Sequence, residues 1–248
     1  MNKFLETEGL YKEYNGVEIL HNIDFELKEG EFTIFMGQSG CGKSTFLYSI
    51  SGMDSATKGK IYFLDKDISK LSEEEMSKMR LEHMGFIFQT PNLLKNLSIK
   101  DNITFPAKQL KKVNSQELEQ YAKQLMKQVG IENVADHDIR KVSGGQLQRA
   151  AICRALINKP KMLFGDEPTG ALNSSTTREI LDILDDIHKN GTTILLVTHD
   201  AKVAARADKV VYLEDGKIKD TILLGQYKEC ELKSREEKVA LWLNKMGF

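Results

Sequence analysis

Gly37-Gln38-Ser39-Gly40-Cys41-Gly42-Lys43-Ser44, with Thr45 directly after it, is the stretch that decides the fold. It fits the pattern G-x-x-x-x-G-K-[S/T] in full. An apolar run with β character, Phe32-Thr33-Ile34-Phe35-Met36, leads into it. A helical run, Phe46-Leu47-Tyr48-Ser49-Ile50, leaves it and stops at Gly52. A strand, a glycine loop and a helix in that order turn backbone N–H groups toward one point, where the helix N-terminus adds positive potential. Such a loop holds the phosphates of a nucleoside triphosphate. Lys43 is expected to reach the β- and γ-phosphates, Ser44 to ligate Mg²⁺ through its hydroxyl, and Thr45 to bond the α-phosphate. Cys41 lies inside this amide-lined turn, where a thiolate is favoured; a small side chain that fits the turn is the plainer role.

Two further motifs lie downstream. Lys161-Met162-Leu163-Phe164-Gly165-Asp166-Glu167 is an apolar strand ending in two acids. With a phosphate loop on an earlier strand, Asp166 is placed to hold Mg²⁺ and Glu167 to act as general base on an attacking water. Val142-Ser143-Gly144-Gly145-Gln146 opens a helix that runs on through Leu147-Gln148-Arg149-Ala150. Ser143 can cap that helix, and the glycines expose amides to an anion. Taken alone, a plain helix cap is the better explanation of the segment.

Around these motifs the chain alternates strands and helices, which implies a parallel sheet flanked by helices. The expected early strands are Phe4–Leu10, Ile19–Leu20, Asp24–Leu27, Phe32–Met36 and Lys60–Phe63, and Ser72-Glu73-Glu74-Glu75 forms a capping box for a helix to about Arg80. Gly85–Phe88 is a short strand. From Thr90 to Pro160 the pattern turns helical, with Leu118, Ala122, Leu125 and Val129 on one face and Gly130 as a stop. Strands return at Met162–Phe164, Thr193–Val197 and Val210–Leu213, with a helix capped near Ser174 between the first two. Val239, Trp242, Leu243 and Met246 recur at helical spacing in the tail.

The 248 residues are 41% hydrophobic and 29% charged, with a net charge of -1, ordinary values for a soluble protein without a global basic field for nucleic acid. Met1–Glu6 lacks the apolar core of a signal peptide, and Thr193–Val197 is too short to cross a bilayer. Cys41, Cys153 and Cys230 are scattered, which argues against a disulfide framework or a zinc site.

Taken jointly and in order, the motifs resemble the nucleotide-binding subunit of an ATP-binding-cassette (ABC) transporter, over nearly the whole chain. The resemblance implies an α/β P-loop NTPase core with an antiparallel β subdomain and an inserted α-helical subdomain. The whole is expected to be one ABC domain: about 1–89 and 161–228 core and β subdomain, about 90–160 helical subdomain, about 229–248 a C-terminal helix. It further implies that Tyr14 stacks on adenine, that Gln89 senses Mg²⁺ and faces a membrane subunit, and that His199 contacts the γ-phosphate. Ser143, Gly144, Gly145 and Gln146 would meet the γ-phosphate of a partner chain, making a homodimer around two ATP. An integral-membrane permease is the implied partner and the cytoplasmic membrane face the implied location; no nucleic acid is expected. Within the family the chain resembles the branch serving MacB-like and lipoprotein-release permeases, through Gly85-Phe86-Ile87-Phe88-Gln89 and Asp166 to Leu172. More narrowly it is similar to Bce-type (bacitracin-efflux) subunits of antimicrobial-peptide resistance, through Phe164-Gly165-Asp166, Ala171-Leu172-Asn173 and the ending Arg235 to Asn244. The chain departs from the family pattern at Val142, where leucine is usual, and at Asn173, where aspartate is usual in the loop that crosses the dimer interface.

Overall fold

A computed structural model describes residues 4–110 and 114–248. In chain order these form β1 (Leu5–Tyr14), β2 (Val17–Leu27), β3 (Phe32–Met36), α1 (Lys43–Ile50), β4 (Lys58–Phe63), β5 (Lys66–Asp67), α2 (Glu73–His83), β6 (Met84–Phe88) and α3 (Ile99–Leu110). Then follow α4 (Ser115–Gln128), α5 (Gly144–Leu156), β7 (Met162–Asp166), α6 (Ser174–Lys189), β8 (Thr193–Val197), α7 (Ala201–Ala204), β9 (Lys209–Glu214), β10 (Lys217–Leu223) and α8 (Leu232–Lys245). The fold is α/β, and its contacts divide it into two compact units: the chain up to Met76 with His188–Phe248, and Ser77–Ile187.

The first unit holds two sheets. One is antiparallel, in the order β2-β1-β4-β5. In the other, β3 pairs in parallel with β8 on one side and β9 on the other, and β10 adds an antiparallel edge to β9. Every residue of β3 and β8 is buried, as expected of parallel strands covered on both faces. Phe35 on β3, Phe46 on α1 and Phe25 on β2 pack as a triangle of rings with centroids 4.5 to 5.6 Å apart, fixing the helix that follows the phosphate loop. The two segments expected around His21 and Asn22 are one strand, β2. Asn22 takes φ 53°, and the pairing with β1 shifts register at irregularities instead of ending. The strand β10 was not legible: its exposure alternates, but Asp220 lies on the inward side and Leu223 on the exposed side, so the residue types do not follow the alternation.

At the tail, α8 packs on its own unit, as the spacing of Val239, Trp242 and Leu243 predicts. Trp242 donates from Nε1 to Asp220 at 2.7 Å, and its ring meets Tyr212 edge-on. Arg235, 4% exposed, donates to five backbone carbonyls: Ala205 (2.8 Å), Ala207 (2.5 Å), Leu224 (3.1 Å), Gly225 (3.0 Å) and Gln226 (3.4 Å).

The second unit holds the parallel pair β6–β7 and the helical block. Its core gathers Ile99 and Ile103 of α3, Leu118, Ala122 and Leu125 of α4, and Ala150 and Cys153 of α5. Asn114 caps α4, and Gly130, at φ 71°, follows its C-cap in the left-handed conformation that ends helices. Gly85 of β6 has a spatial reason: a Cβ there would lie 2.5 Å from the Ala155 carbonyl oxygen, so only glycine lets β6 and the end of α5 approach this closely.

Candidate nucleotide site

In the first unit β3 runs straight into the glycine loop. Gly37, Gly40 and Gly42 adopt φ of 151°, 82° and 105°, values that side chains other than glycine rarely take. A Cβ on Gly37 would sit 2.2 Å from the Leu213 carbonyl oxygen. Lys43 curls back over the loop, its Nζ donating to the carbonyls of Gly37 and Gln38, each at 2.8 Å. Gly42 is the N-cap of α1 and supplies no side-chain bond, and the first turn carries no acid. Helix N-termini have amides without intrahelical partners. A helix end with no side-chain cap and no acid in its first turn fits an anionic phosphate group, with Gln38, Ser39, Cys41, Ser44 and Thr45 completing the loop's circuit.

Cys41 corrects one expectation. The thiol is buried, and desolvation raises its pKa more than Lys43 and the nearby amides lower it. The loop therefore favours the neutral thiol, and Cys41 is a small filler of the turn, its sulfur 4.0 Å from Lys43 Nζ.

Tyr14, at the end of β1, is 42% exposed. Its hydroxyl donates to Asp54 Oδ2. Asp54 Oδ1 accepts from Lys12 Nζ at 2.6 Å, and that ammonium sits 4.6 Å from the centre of the Tyr14 ring. Partial burial, and then Asp54, push the phenol up to about 12, against an opposing bond with Thr45 in the loop helix. The ring is thus held next to α1 and presents a face to solvent. His199 follows β8. The register Phe35↔Val197 carries each strand two residues on to Gly37 and His199, so both leave the sheet at the same end. His199 is exposed, just before Asp200 caps α7.

In the second unit, β6 and β7 pair Phe88 with Asp166, which brings Gln89 and Glu167 out side by side. Both converge on Gly170: a Cβ there would lie 2.9 Å from Gln89 Nε2 and 3.1 Å from Glu167 Oε2. Glu167 takes φ 46°, a left-handed backbone unusual for a glutamate and a form of local strain that clusters at functional sites. Ser143, Gly144, Gly145 and Gln146 form a group of their own at the start of α5. Ser143 Oγ accepts from Gln146 N at 3.3 Å while Gln146 Oε1 accepts from Ser143 N at 2.9 Å, a complete capping box. The Ser143 hydroxyl keeps its own O–H to donate outward. A Cβ on Gly145 would lie 2.7 Å from Thr176 of α6, whereas Gly144 faces open space. Asn173 caps α6, its side-chain oxygen accepting from Thr176 N at 3.0 Å and Ser175 Oγ at 2.8 Å.

Among the described residues no three His, Cys, Asp or Glu side chains cluster as a metal cage. Mg²⁺ needs no such cage, because it keeps water and takes phosphate oxygens in preference to an all-protein shell.

Residues 20–170 match the family model of ABC transporters. The chain belongs to the ABC transporter family. Its fold is that of the family's ATPase domain, which binds ATP with Mg²⁺. The dimeric ATP-binding cassette MJ0796, solved in a post-hydrolysis state with ADP and Pi, superposes with TM-score 0.84 at 33% identity, covering 90% of this chain and 100% of that one. The lipoprotein-releasing system ATP-binding protein LolD of Leptospira interrogans is 36% identical over 219 residues, 88% of this chain and 92% of LolD. The macrolide export ATP-binding/permease protein MacB of Campylobacter fetus is 42% identical over 226 residues, 90% of this chain. The chain spans about a third of that protein's length, 35%.

Several residues around the site escaped the sequence reading. Lys12 and Asp54 frame Tyr14; Lys12 lies two residues before it, on the same strand face. Gln148, on the buried face of α5, donates from Nε2 to the carbonyls of Phe88 (3.0 Å) and Pro168 (2.6 Å). The segment after Gln89 is gripped by two side chains. Arg154 donates to Pro91 O (2.8 Å) and Asn92 O (2.7 Å), and Asn102 bonds Leu94 N (2.7 Å) and the carbonyls of Leu94, Leu97 and Ser98. A polar residue inside an apolar helical stripe was the available signal for Gln148 and Asn102.

Proposed function

We propose that the chain is the ATP-hydrolysing part of a MacB/LolD-type transporter, driving a membrane permease as a homodimer. The observation that carries this is the meeting of Gln89 and Glu167 at Gly170, next to Asp166 and on a strained backbone. In this reading Lys43 and the loop amides bind the phosphates, and Tyr14 stacks on adenine. Glu167 takes the proton of the attacking water, and His199 and Gln89 orient the reacting groups. Ser44 and Asp166 would hold Mg²⁺, with Gln89 as its sensor, and the ion when bound would neutralise charge on the phosphates. Ser143 to Gln146 act on the nucleotide of the second copy, so each ATP needs both chains. Permease contact is assigned to exposed apolar residues of the segment that follows Gln89, Leu94 (48%) and Phe105 (42%). Among the described residues no helix is long and apolar enough to cross a membrane. In this reading the membrane link is the permease, at the cytoplasmic face.

Glu167→Gln is expected to keep ATP binding while lowering hydrolysis about 10²-fold or more, and to accumulate an ATP-bound dimer on size exclusion. Full hydrolysis in that variant removes Glu167 as the base. Mixing Ser143→Arg chains with Lys43→Ala chains is expected to restore turnover at one composite site; no recovery argues against shared sites.

For the substrate, the Bce-like cues at Phe164-Gly165-Asp166, Asn173 and the tail support antimicrobial-peptide resistance. Deleting the gene should raise sensitivity to bacitracin-class peptides. The second reading, lipoprotein release, is favoured by the near full-length match to LolD. Retained lipoproteins without a change in peptide sensitivity would decide for it.

A further inference from the structure

Helix α5 begins at the Ser143–Gln146 group and continues into the interior of its unit. Five residues past Ser143, roughly 7–8 Å along the axis, stands Gln148, 1% exposed among alanines and aliphatic residues. A buried amide is costly unless bonded. Both N–H groups of this one are used, one on the carbonyl of Phe88 and one on that of Pro168. These two acceptors have a common property. Phe88 ends β6 and precedes Gln89; Pro168 follows Glu167 just past the end of β7. Each carbonyl lies where the β6–β7 ladder runs out, so a single side-chain nitrogen closes both strand ends. The residue type is constrained by the job. Asparagine is one carbon too short, an ionised glutamate has no donor, and methionine fills the space with none. Arg154, six residues further along the same helix, holds Pro91 and Asn92. The backbone around Gln89 is therefore fastened to α5 on both sides, and the backbone after Glu167 by the same amide.

We propose that Gln148 is a positioning residue for ATP hydrolysis: its amide ties the backbone beside Gln89 and Glu167 to the helix that starts at Ser143, so that engagement of that helix end by nucleotide and placement of the reacting groups occur together. The inference rests on the reading of Glu167 as base and of Ser143 as a nucleotide contact. Gln148 itself touches no reacting atom and acts through the two carbonyls.

The test uses the full chain. Gln148→Met keeps length and volume and removes both donors. Its kcat for ATP is expected to fall about tenfold or more, with KM and the Kd of a fluorescent ATP analogue within about threefold, because the phosphate loop is untouched. Gln148→Glu adds a signature that loss of folded protein would not produce. A carboxyl between two carbonyls can donate only when protonated, and burial raises its pKa. Its kcat relative to the parent chain is expected to climb as pH falls from roughly 8 to 6. A kcat for Gln148→Met within about twofold of the parent overturns the proposal. If that variant fails to fold, a Gln148→Glu profile parallel to the parent overturns it instead. Glu167→Gln separates the two levels. Loss of hydrolysis there with unchanged kcat in Gln148→Met sinks this inference alone, and full hydrolysis in Glu167→Gln sinks the base assignment and this inference with it.

Discussion

Replacing Arg235 by alanine should unseat the C-terminal helix, and the size of the effect follows from its bonds. All five donated hydrogen bonds run to main-chain carbonyls, two of them on the fully buried Ala205 and Ala207. Truncation leaves those carbonyls without the donor that satisfies them. Water can reach the acceptors at Leu224, Gly225 and Gln226 more easily, so only the two buried ones are counted. At about 1–3 kcal/mol for each stranded buried group, the loss is about 2–6 kcal/mol. For a chain of this length a loss of that size lowers the unfolding midpoint by at least about 4 °C. Arg235→Lys has three donors for five acceptors and should fall between the parent and alanine. The readout is built in: Trp242 is the single tryptophan of the chain, sits on α8 and is 8% exposed, so its fluorescence reports the seating of this helix. The emission of Arg235→Ala should shift to the red at lower temperature and lower urea. A midpoint within about 2 °C of the parent would refute the assignment of the guanidinium as the fastener.

Two further outcomes are expected. Asn173→Ala removes the cap of α6 and should cost about 1 kcal/mol in urea unfolding, whereas Asn173→Asp should be neutral or slightly stabilising at a helix N-terminus; equal losses in both would refute the capping role. Tyr14 should ionise near pH 12 instead of the ordinary 10.0, and Asp54→Asn should bring it down. Because the folded pKa is raised, the stabilisation is complete below the unfolded value near 10.0 and is lost as pH climbs to about 12. Ultraviolet difference titration against Tyr14→Phe measures this, and an unchanged Tyr14 titration in Asp54→Asn would remove Asp54 as a cause.

The sequence was most legible where local chemistry and periodicity agree. Gly37 to Ser44 between an apolar strand and a helix could be placed because glycine backbone freedom and strand burial act within ten residues. Gly130 and Ser143 were readable as a helix end and a helix start for the same local reason. What escaped depends on partners distant in the chain. Gln148 meets carbonyls 60 and 20 residues away, and Lys12 meets Asp54 across 42 residues, separations that no periodicity encodes. For Cys41 the turn-filling role was readable, whereas the protonation of the thiol was not: the amides that favour a thiolate are local, while the burial that opposes it is tertiary. The edge strand β10 was hidden because Asp220 stands on its inward side and Leu223 on its exposed side, which breaks the apolar–polar alternation that marks a strand.

The segment from Pro91 to Leu97, between Gln89 and α3, has neither helix nor strand, yet its backbone is held by Arg154 from one helix and Asn102 from another. Irregular chain is ordinarily a spring that soaks up an applied load. Here it is tied at several points to α3 and α5, and what fixes its course is side-chain hydrogen bonding, not secondary structure.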